Sequence, residues 1–501
     1  MKLDVRRLRA GLIAATCAAL LSSCGGNDDF IAGPTPNLVN PAVYQLLTSV
    51  DAIGVGGAGL LTHDPAFADL QLRANLAGGT VRLRFSCISC NISVSAQGAT
   101  AAANQYLSLS FPNLDAASDI PVTVTDGVSG AKATYTLHAR TIDHAPYTID
   151  TRSNPEAGDL YLTPFDPQGF GAAFAYIVSG DGSLKYYYRN PPRREIFDFK
   201  KTVIPGGATR YSFYDEASQG IRVMDASFTT LAVVQALPFP DGNTYAVDLH
   251  DHVIVDDGHY ILGVHASKTV NNIPSLPGQS LFVGGSGLQE IIDGVAVFNW
   301  LSTDHPELYA CSMRNNNFAA NTGVDYAHWD SLAVDTDGNW IASFRSMDAV
   351  LKVKRTDGSV AWILGGVCDQ FGLSATQKFS RQHDARRSVD GRLTLFDDNP
   401  SSGASRVLAF NLDEAGKILL NANPAVPGFA AYAGDPHASV NLGSAQWFAD
   451  GRVLVGWGEF NGTASDVSEF DAATGALSLQ LTLHPSPYSN GYFSYRARKA
   501  P

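Results

Sequence analysis

The stretch Asp335-Thr336-Asp337-Gly338-Asn339-Trp340-Ile341 reads as a tight turn that delivers an apolar strand, and the chain repeats it. It recurs as Gly180-Asp181-Gly182-Ser183-Leu184, Asp256-Asp257-Gly258-His259-Tyr260-Ile261-Leu262, Val389-Asp390-Gly391-Arg392-Leu393-Thr394-Leu395 and Ala449-Asp450-Gly451-Arg452-Val453-Leu454-Val455. Asp-Gly supplies the positive φ that tight hairpins need. A second turn is interleaved: Thr356-Asp357-Gly358-Ser359 leads into Val360-Ala361-Trp362, and Phe470-Asp471-Ala472-Ala473-Thr474-Gly475 leads into Ala476-Leu477. Hairpins repeating every several tens of residues predict stacked four-stranded units, the blades of a β-propeller. The length available, residues 149–501, suits six blades.

Outside the repeat, helix-period patterns are almost absent. Residues 41–148 carry alternating stretches such as Val81-Arg82-Leu83-Arg84-Phe85 and Tyr106-Leu107-Ser108-Leu109-Ser110-Phe111. Strands of this kind at this spacing predict a small β-sandwich. The fold class is therefore all-β, an N-terminal β-sandwich followed by a six-bladed β-propeller. Nothing in the sandwich carries chemistry.

The first residues are set apart from both units. Met1–Arg9 is a basic segment, Ala10–Leu21 is apolar but too short to span a bilayer, and Leu21-Ser22-Ser23-Cys24 follows. This resembles the signal peptide and lipobox of bacterial lipoproteins. The resemblance implies cleavage before Cys24, lipidation of its thiol and a tether over residues 25–40. Gly25 after the cysteine is similar to the signal that sorts lipoproteins to the outer membrane, facing the periplasm.

Of 501 residues, 45% are hydrophobic, enough for sizeable cores, and the net charge is −13. That charge, with no basic stripe, argues against a nucleic-acid partner. A local pocket can still be positive and take an anion. Six cysteines occur; Cys17 leaves with the leader and Cys24 is the lipid acceptor. Cys87 with Cys90 and Cys311 with Cys368 are the plausible disulfides in an oxidising compartment, although spacing alone does not fix the pairing.

Three histidines stand beside repeat turns: His250 in Asp248-Leu249-His250-Asp251-His252, His328 in Asp325-Tyr326-Ala327-His328-Trp329-Asp330-Ser331, and His383 in Gln382-His383-Asp384-Ala385-Arg386. Equivalent places in successive blades surround one central channel, so the three imidazoles are expected to converge. Arg345, in Ser343-Phe344-Arg345, would aim an always-charged guanidinium at the same point. Such a set is a receptor for a tetrahedral oxyanion.

In order, the chain reads His250-Asp251 with Gly258; His328-Trp329-Asp330-Ser331 with Ser343-Phe344-Arg345; Trp362-Ile363-Leu364-Gly365-Gly366; Gln382-His383-Asp384-Ala385; Phe396-Asp397-Asp398-Asn399; and Gly456-Trp457-Gly458. This series, over most of residues 240–460, resembles the bacterial aryl sulfotransferases that use an aryl sulfate as donor. The resemblance implies transfer of a sulfuryl group to a phenol without a nucleotide or other cofactor. It implies His383 as the nucleophile, with His250, His328 and Arg345 binding sulfuryl oxygens and moving protons. Asp330, Ser331 and Tyr326 are candidate substrate-binding residues.

One position departs from the family pattern, which has Asn where this chain has Asp330. An Asn amide donates to a sulfate oxygen, whereas an ionised Asp only accepts. Either Asp330 orients a neighbouring imidazole or it alters the pocket. Two rival readings stand beside the transferase. One is a non-catalytic propeller that binds a ligand or protein. The other is a metal-dependent hydrolase built on His250-Asp251-His252, where His-x-His on a strand would put both rings on one face, with Asp257 nearby. No second ligand pair has matching spacing, so no metal is expected. Asp397 and Asp398 read as turn residues that cap strands, and His252 and His259 as core or turn residues.

Overall fold

The computed structural model describes residues 39–500 apart from 55–59, 64, 67, 74–79, 111–117, 141–144, 170, 181, 183, 315, 321–323, 399–403, 421–427, 433–436, 461–464 and 486–490. The leader, Cys24 and the tether as far as residue 38 lie outside the described residues. The described residues are all-β, with 53% of them in strands and 4% in helix. Among the described residues no helix is long and apolar enough to cross a membrane.

The first unit has two sheets. One runs 60–63, 49–54, 80–86, 107–110 in spatial order, and the other 69–73, 132–140, 118–126, 92–96, 99–102. Alternation decides the packing: Leu107 and Leu109 point inward while Ser108 and Ser110 point out. Val50, Leu83, Phe85 and Leu109 from one sheet meet Val94, Val122, Tyr135 and Leu137 from the other in one buried cluster, giving a sandwich.

From residue 147 onward six larger sheets follow in chain order. Their innermost strands are 493–500, 196–203, 246–256, 329–334, 383–387 and 444–447. Each of these strands touches the next, and 444–447 touches 493–500, so they close a ring. The C-terminal strand 493–500 is the inner strand of the first blade, hydrogen-bonded to 159–165. Strand 147–152 adds a fifth, outer strand to the last blade. Closure of this kind removes free sheet edges at the channel.

The repeat turns make the hairpins read from sequence. Gly338 has φ +79° and donates its N–H to the Asp335 carbonyl at 2.9 Å, a backbone state that a Cβ disfavours. The inner strands add a feature that the repeat does not announce. Each of four carries a β-bulge, between Phe197 and Lys200, Val247 and His252, Trp329 and Ser331, and His383 and Arg386. Bulges re-aim side chains, and these four aim Asp198, Asp251, Asp330 and Asp384 into the ring, all fully or almost fully buried.

Those bulges tie blade to blade. Asp251 accepts from Leu332 N–H, Ser331 Oγ from Ala385 N–H, Asp384 from Ala445 N–H and Ser444 Oγ from Ala497 N–H, each at 3.0 Å. At the two remaining joints Arg496 Nη1 donates to Asp198 at 2.9 Å, and Lys200 Nζ donates to Asp251 at 2.7 Å. Six joints thus carry six polar struts. Disulfides Cys87–Cys90 and Cys311–Cys368 are both formed.

Candidate active site

His383 opens the inner strand of the fifth blade and is 1% exposed. Its Nδ1 donates to the Arg381 carbonyl at 3.0 Å, which leaves the lone pair on Nε2. Burial, then the positive charge of Arg345 and the nearby His250, Arg496 and His328, push its pKa well below the ordinary imidazole value. The ring is therefore neutral across the physiological range.

His250 and His328 meet ring to ring, with centroids 5.3 Å apart. Each is held by a carboxylate: Asp248 lies 2.7 Å from His250 Nδ1, and Asp325 lies 2.5 Å from His328 Nδ1. A carboxylate on Nδ1–H fixes the tautomer and turns Nε2 into the basic nitrogen. Burial opposes the charge on both carboxyls, but the histidines outweigh it, and both pKa values are lowered. Arg345 starts a short 3₁₀ turn after strand 340–344 and donates to Asn441 Oδ1 at 2.5 Å. It bears electrostatically on both His383 and Asp398. The four residues expected to converge do so.

Asp330 lies in the same cluster, fully buried, with Oδ2 3.8 Å from His383 Nε2. Neither of its carboxyl oxygens has a hydrogen-bond partner. Burial pushes its pKa up to about 7, against the pull of His250, His328 and Arg496.

Other candidates sit elsewhere. Tyr326 is fully buried between blades, stacked near Tyr309 and Phe318, and its hydroxyl donates to Ser302 Oγ at 2.9 Å. Ser331 is the strut to Ala385, one strand beneath the histidines. Ser331→Ala is expected to cost about 1–2 kcal/mol by orphaning a buried N–H, with KM unchanged. Urea unfolding beside steady-state kinetics checks this; a raised KM with unchanged stability would return Ser331 to the substrate.

The His-x-His pairing of the rival metal reading does not form. The bulge between Val247 and His252 separates the two rings, so His252 Nε2 bonds Ser212 Oγ at 2.8 Å and its Nδ1 faces Asp198 at 3.2 Å. Asp257 is taken by Arg210. A carboxylate trio, Asp335, Asp337 and Glu414, does gather. Lys352 Nζ fills it, 2.6–2.8 Å from all three.

Asp397 and Asp398 do more than cap a turn. Asp397 accepts from Ser380 N–H and from Arg406 at 2.9 and 2.8 Å. Asp398 is buried with Oδ2 3.3 Å from His383 Nδ1, and burial raises its pKa well above normal. Asn399 is outside the described residues.

Sequence reading missed the floor of the site. Tyr495 and Arg496 arrive on the closing strand: Tyr495 packs 5.8 Å from His250, and Arg496 bonds the Asp330 carbonyl at 2.7 Å. Burial works against the charge on Asp251, but Arg386, Lys200 and Arg496 hold its carboxyl well below the usual range. No local signal marks this strand as part of the first blade. The Asp two or three residues before each flanking histidine was visible, and a ring tautomer needing a carboxylate could have singled it out.

The profile described as Arylsulfotransferase (ASST) matches residues 228–481, which contain every one of the clustered histidines and Arg345. No curated protein matches the chain. Among solved structures, a protein of unknown function from Bacteroides caccae aligns at 11% identity and TM-score 0.41, over 68% of this chain and 98% of that one. A virginiamycin B lyase from Staphylococcus aureus aligns at 9% and 0.34, over 67% and 88%. A puromycin hydrolase aligns at 13% and 0.34, over 67% and 55%. The profile spans half of the chain and all of the cluster, and the chain belongs to the arylsulfotransferase family.

Proposed function

We propose that the protein moves a sulfuryl group from an aryl sulfate to a phenol in two steps through His383. The observation that carries this reading is a buried neutral imidazole whose Nδ1–H is held by a carbonyl and which feels the charge of an arginine and of two histidines that meet ring to ring. In the first step the Nε2 lone pair attacks sulfur, the S–O bond to the aryl group breaks, and aryl oxide leaves with the electron pair. In the second step the acceptor phenol oxygen attacks sulfur, the N–S bond breaks, and its electrons return to Nε2. The phenol proton passes to Nε2 of His250 or His328. Charge spreads over the equatorial sulfuryl oxygens in a loose transition state, so Arg345 and the imidazoles act mainly by electrostatics and positioning.

The same reading makes this an exported enzyme, anchored by lipid on Cys24 at the outer membrane and facing the periplasm. The two disulfides suit that oxidising location.

The test uses the chain without residues 1–24, a chromogenic aryl sulfate and phenol. Phenol-dependent chromophore release with formation of phenyl sulfate supports the reading. No release across several donors and acceptors, from folded protein, moves the assignment to a binding propeller. His328→Asn is expected to lower kcat about 10²–10³-fold, because it removes a proton acceptor and a sulfuryl contact together. An unchanged kcat in that variant would remove His328 from the mechanism.

A further inference from the structure

We infer that Asp330 works as an un-ionised carboxylic acid that donates a hydrogen bond to a sulfuryl oxygen, and that its ionisation switches the site off. The inference rests on the transfer reading above.

Three features of the geometry point to it. Asp330 is completely buried and both its oxygens lack a partner, a state that burial tolerates for a neutral acid and penalises for an anion. Several donors beside it are aimed at other acceptors. Arg496 Nη2 and the Tyr495 hydroxyl both donate to the Asp330 backbone carbonyl, at 2.7 and 3.1 Å. Arg345 is committed to Asn441, and the Ser343 hydroxyl beside the carboxyl donates to the Gln382 carbonyl at 3.1 Å, and burial outweighs what the hydroxyl and the histidines contribute. Finally, Oδ2 stands 3.8 Å from Nε2 of His383, too far for a bond between them. An oxygen of a sulfuryl group seated on Nε2, lying to one side of that line, can come within hydrogen-bond reach of Oδ2.

The charged and titratable groups facing Asp330 are His250 from the third blade, His328 from its own, His383 and Asp398 from the fifth, and Tyr495 and Arg496 from the first. His383 is held neutral. Asp398 is pushed toward its neutral form and adds no compensating cation. Asp330, with a folded pKa of about 7, thus changes protonation near neutrality while it faces the reacting nitrogen. A neutral acid supplies the donor that an amide supplies elsewhere in the family pattern; the anion would repel the sulfuryl oxygens.

The experiment compares kcat/KM against pH for wild type, Asp330→Asn and Asp330→Ala, with thermal unfolding of each at pH 5 and pH 8.5. Wild-type kcat/KM is expected to fall about tenfold per pH unit above ~7. Asp330→Asn is expected to lose that limb and to exceed wild type by about tenfold or more at pH 8.5. Asp330→Ala is expected to be slow at every pH.

Unfolding gives a readout that needs no turnover. A carboxyl with a raised folded pKa makes the folded chain bind more protons than the unfolded chain. Stability then falls as pH rises from the unfolded value through about 7. Asp330→Asn should therefore raise Tm more at pH 8.5 than at pH 5. An alkaline limb that persists in Asp330→Asn, with His383-dependent turnover intact, overturns this inference and leaves the transferase standing. Absence of turnover in wild type overturns the transferase, and equal Tm gains at both pH values then overturn the neutral Asp330 as well.

Discussion

His383→Ala is expected to fold normally and to lose sulfuryl transfer, by about 10⁴-fold or more in kcat. The size follows from the proposed two-step route. Without Nε2 there is no covalent intermediate, and a phenol must displace an aryl oxide directly in a site shaped for an imidazole. Folding survives because the backbone pairing of His383 with Phe396 does not involve the ring, and the ring's polar tie is a single bond to the Arg381 carbonyl. The space left is polar and accepts water. Chromophore release from an aryl sulfate, with unfolding measured in parallel, checks both halves. Partial recovery of turnover by added imidazole would locate the defect in the missing ring. Full activity in a folded variant would dismiss His383 as the nucleophile.

Arg496→Met loses about 3–5 kcal/mol of stability. Arg496 is 2% exposed at the centre of the ring. It bonds Asp198 at 2.9 Å, lies 3.1 Å from Asp251, and holds the Asp330 carbonyl at 2.7 Å. Burial opposes its charge, yet Tyr495, Asp251, Asp198 and Asp384 keep its pKa well above the usual value. Lys200 and Arg386 remain in the variant: Lys200 Nζ lies 2.5 Å from Asp198 and 2.7 Å from Asp251, and Arg386 pairs with Asp251. The first joint of the ring then loses its cross-blade strut and one of the two cations beside Asp198, and the Asp330 carbonyl loses its donor, a partial break of a buried ion network. Urea unfolding measures the loss. A midpoint equal to wild type would show that the closing strand is held by its ladder to 159–165 and not by the arginine.

The fold was legible where its cause is local. Asp-Gly turns state their own φ requirement, so the hairpins at Gly258, Gly338, Gly391 and Gly451 could be read one by one and counted as blades. The clustered histidines were legible because each stands just before such a turn, and equivalent positions around a ring converge by symmetry. Features that depend on ring closure were not legible. Arg496 reaches the site because the C-terminal strand joins the first blade, a contact with Asp330 across 166 residues. The bulges place one extra residue in three inner strands and three in strand 246–256, and they decide which side chains face the channel. For this reason His252 turns to Ser212 instead of joining His250, and Ser331 becomes a strut. Asp398 reads as a turn residue by type, and only the pairing of strands 383–387 and 393–397 within the fifth blade shows that it is buried against His383. Tyr326 reads as a channel aromatic by position, but a pocket formed by Tyr309 and Phe318 takes it.

The central claim is a sulfuryl group carried on His383. The most direct measurement mixes the protein with an aryl sulfate in the absence of phenol, quenches it at alkaline pH and maps the peptides by mass. The account predicts one added sulfuryl group on the peptide containing His383, lost on addition of phenol with stoichiometric formation of phenyl sulfate. Turnover with unlabelled His383, or a sulfuryl group found on any other residue, would contradict it.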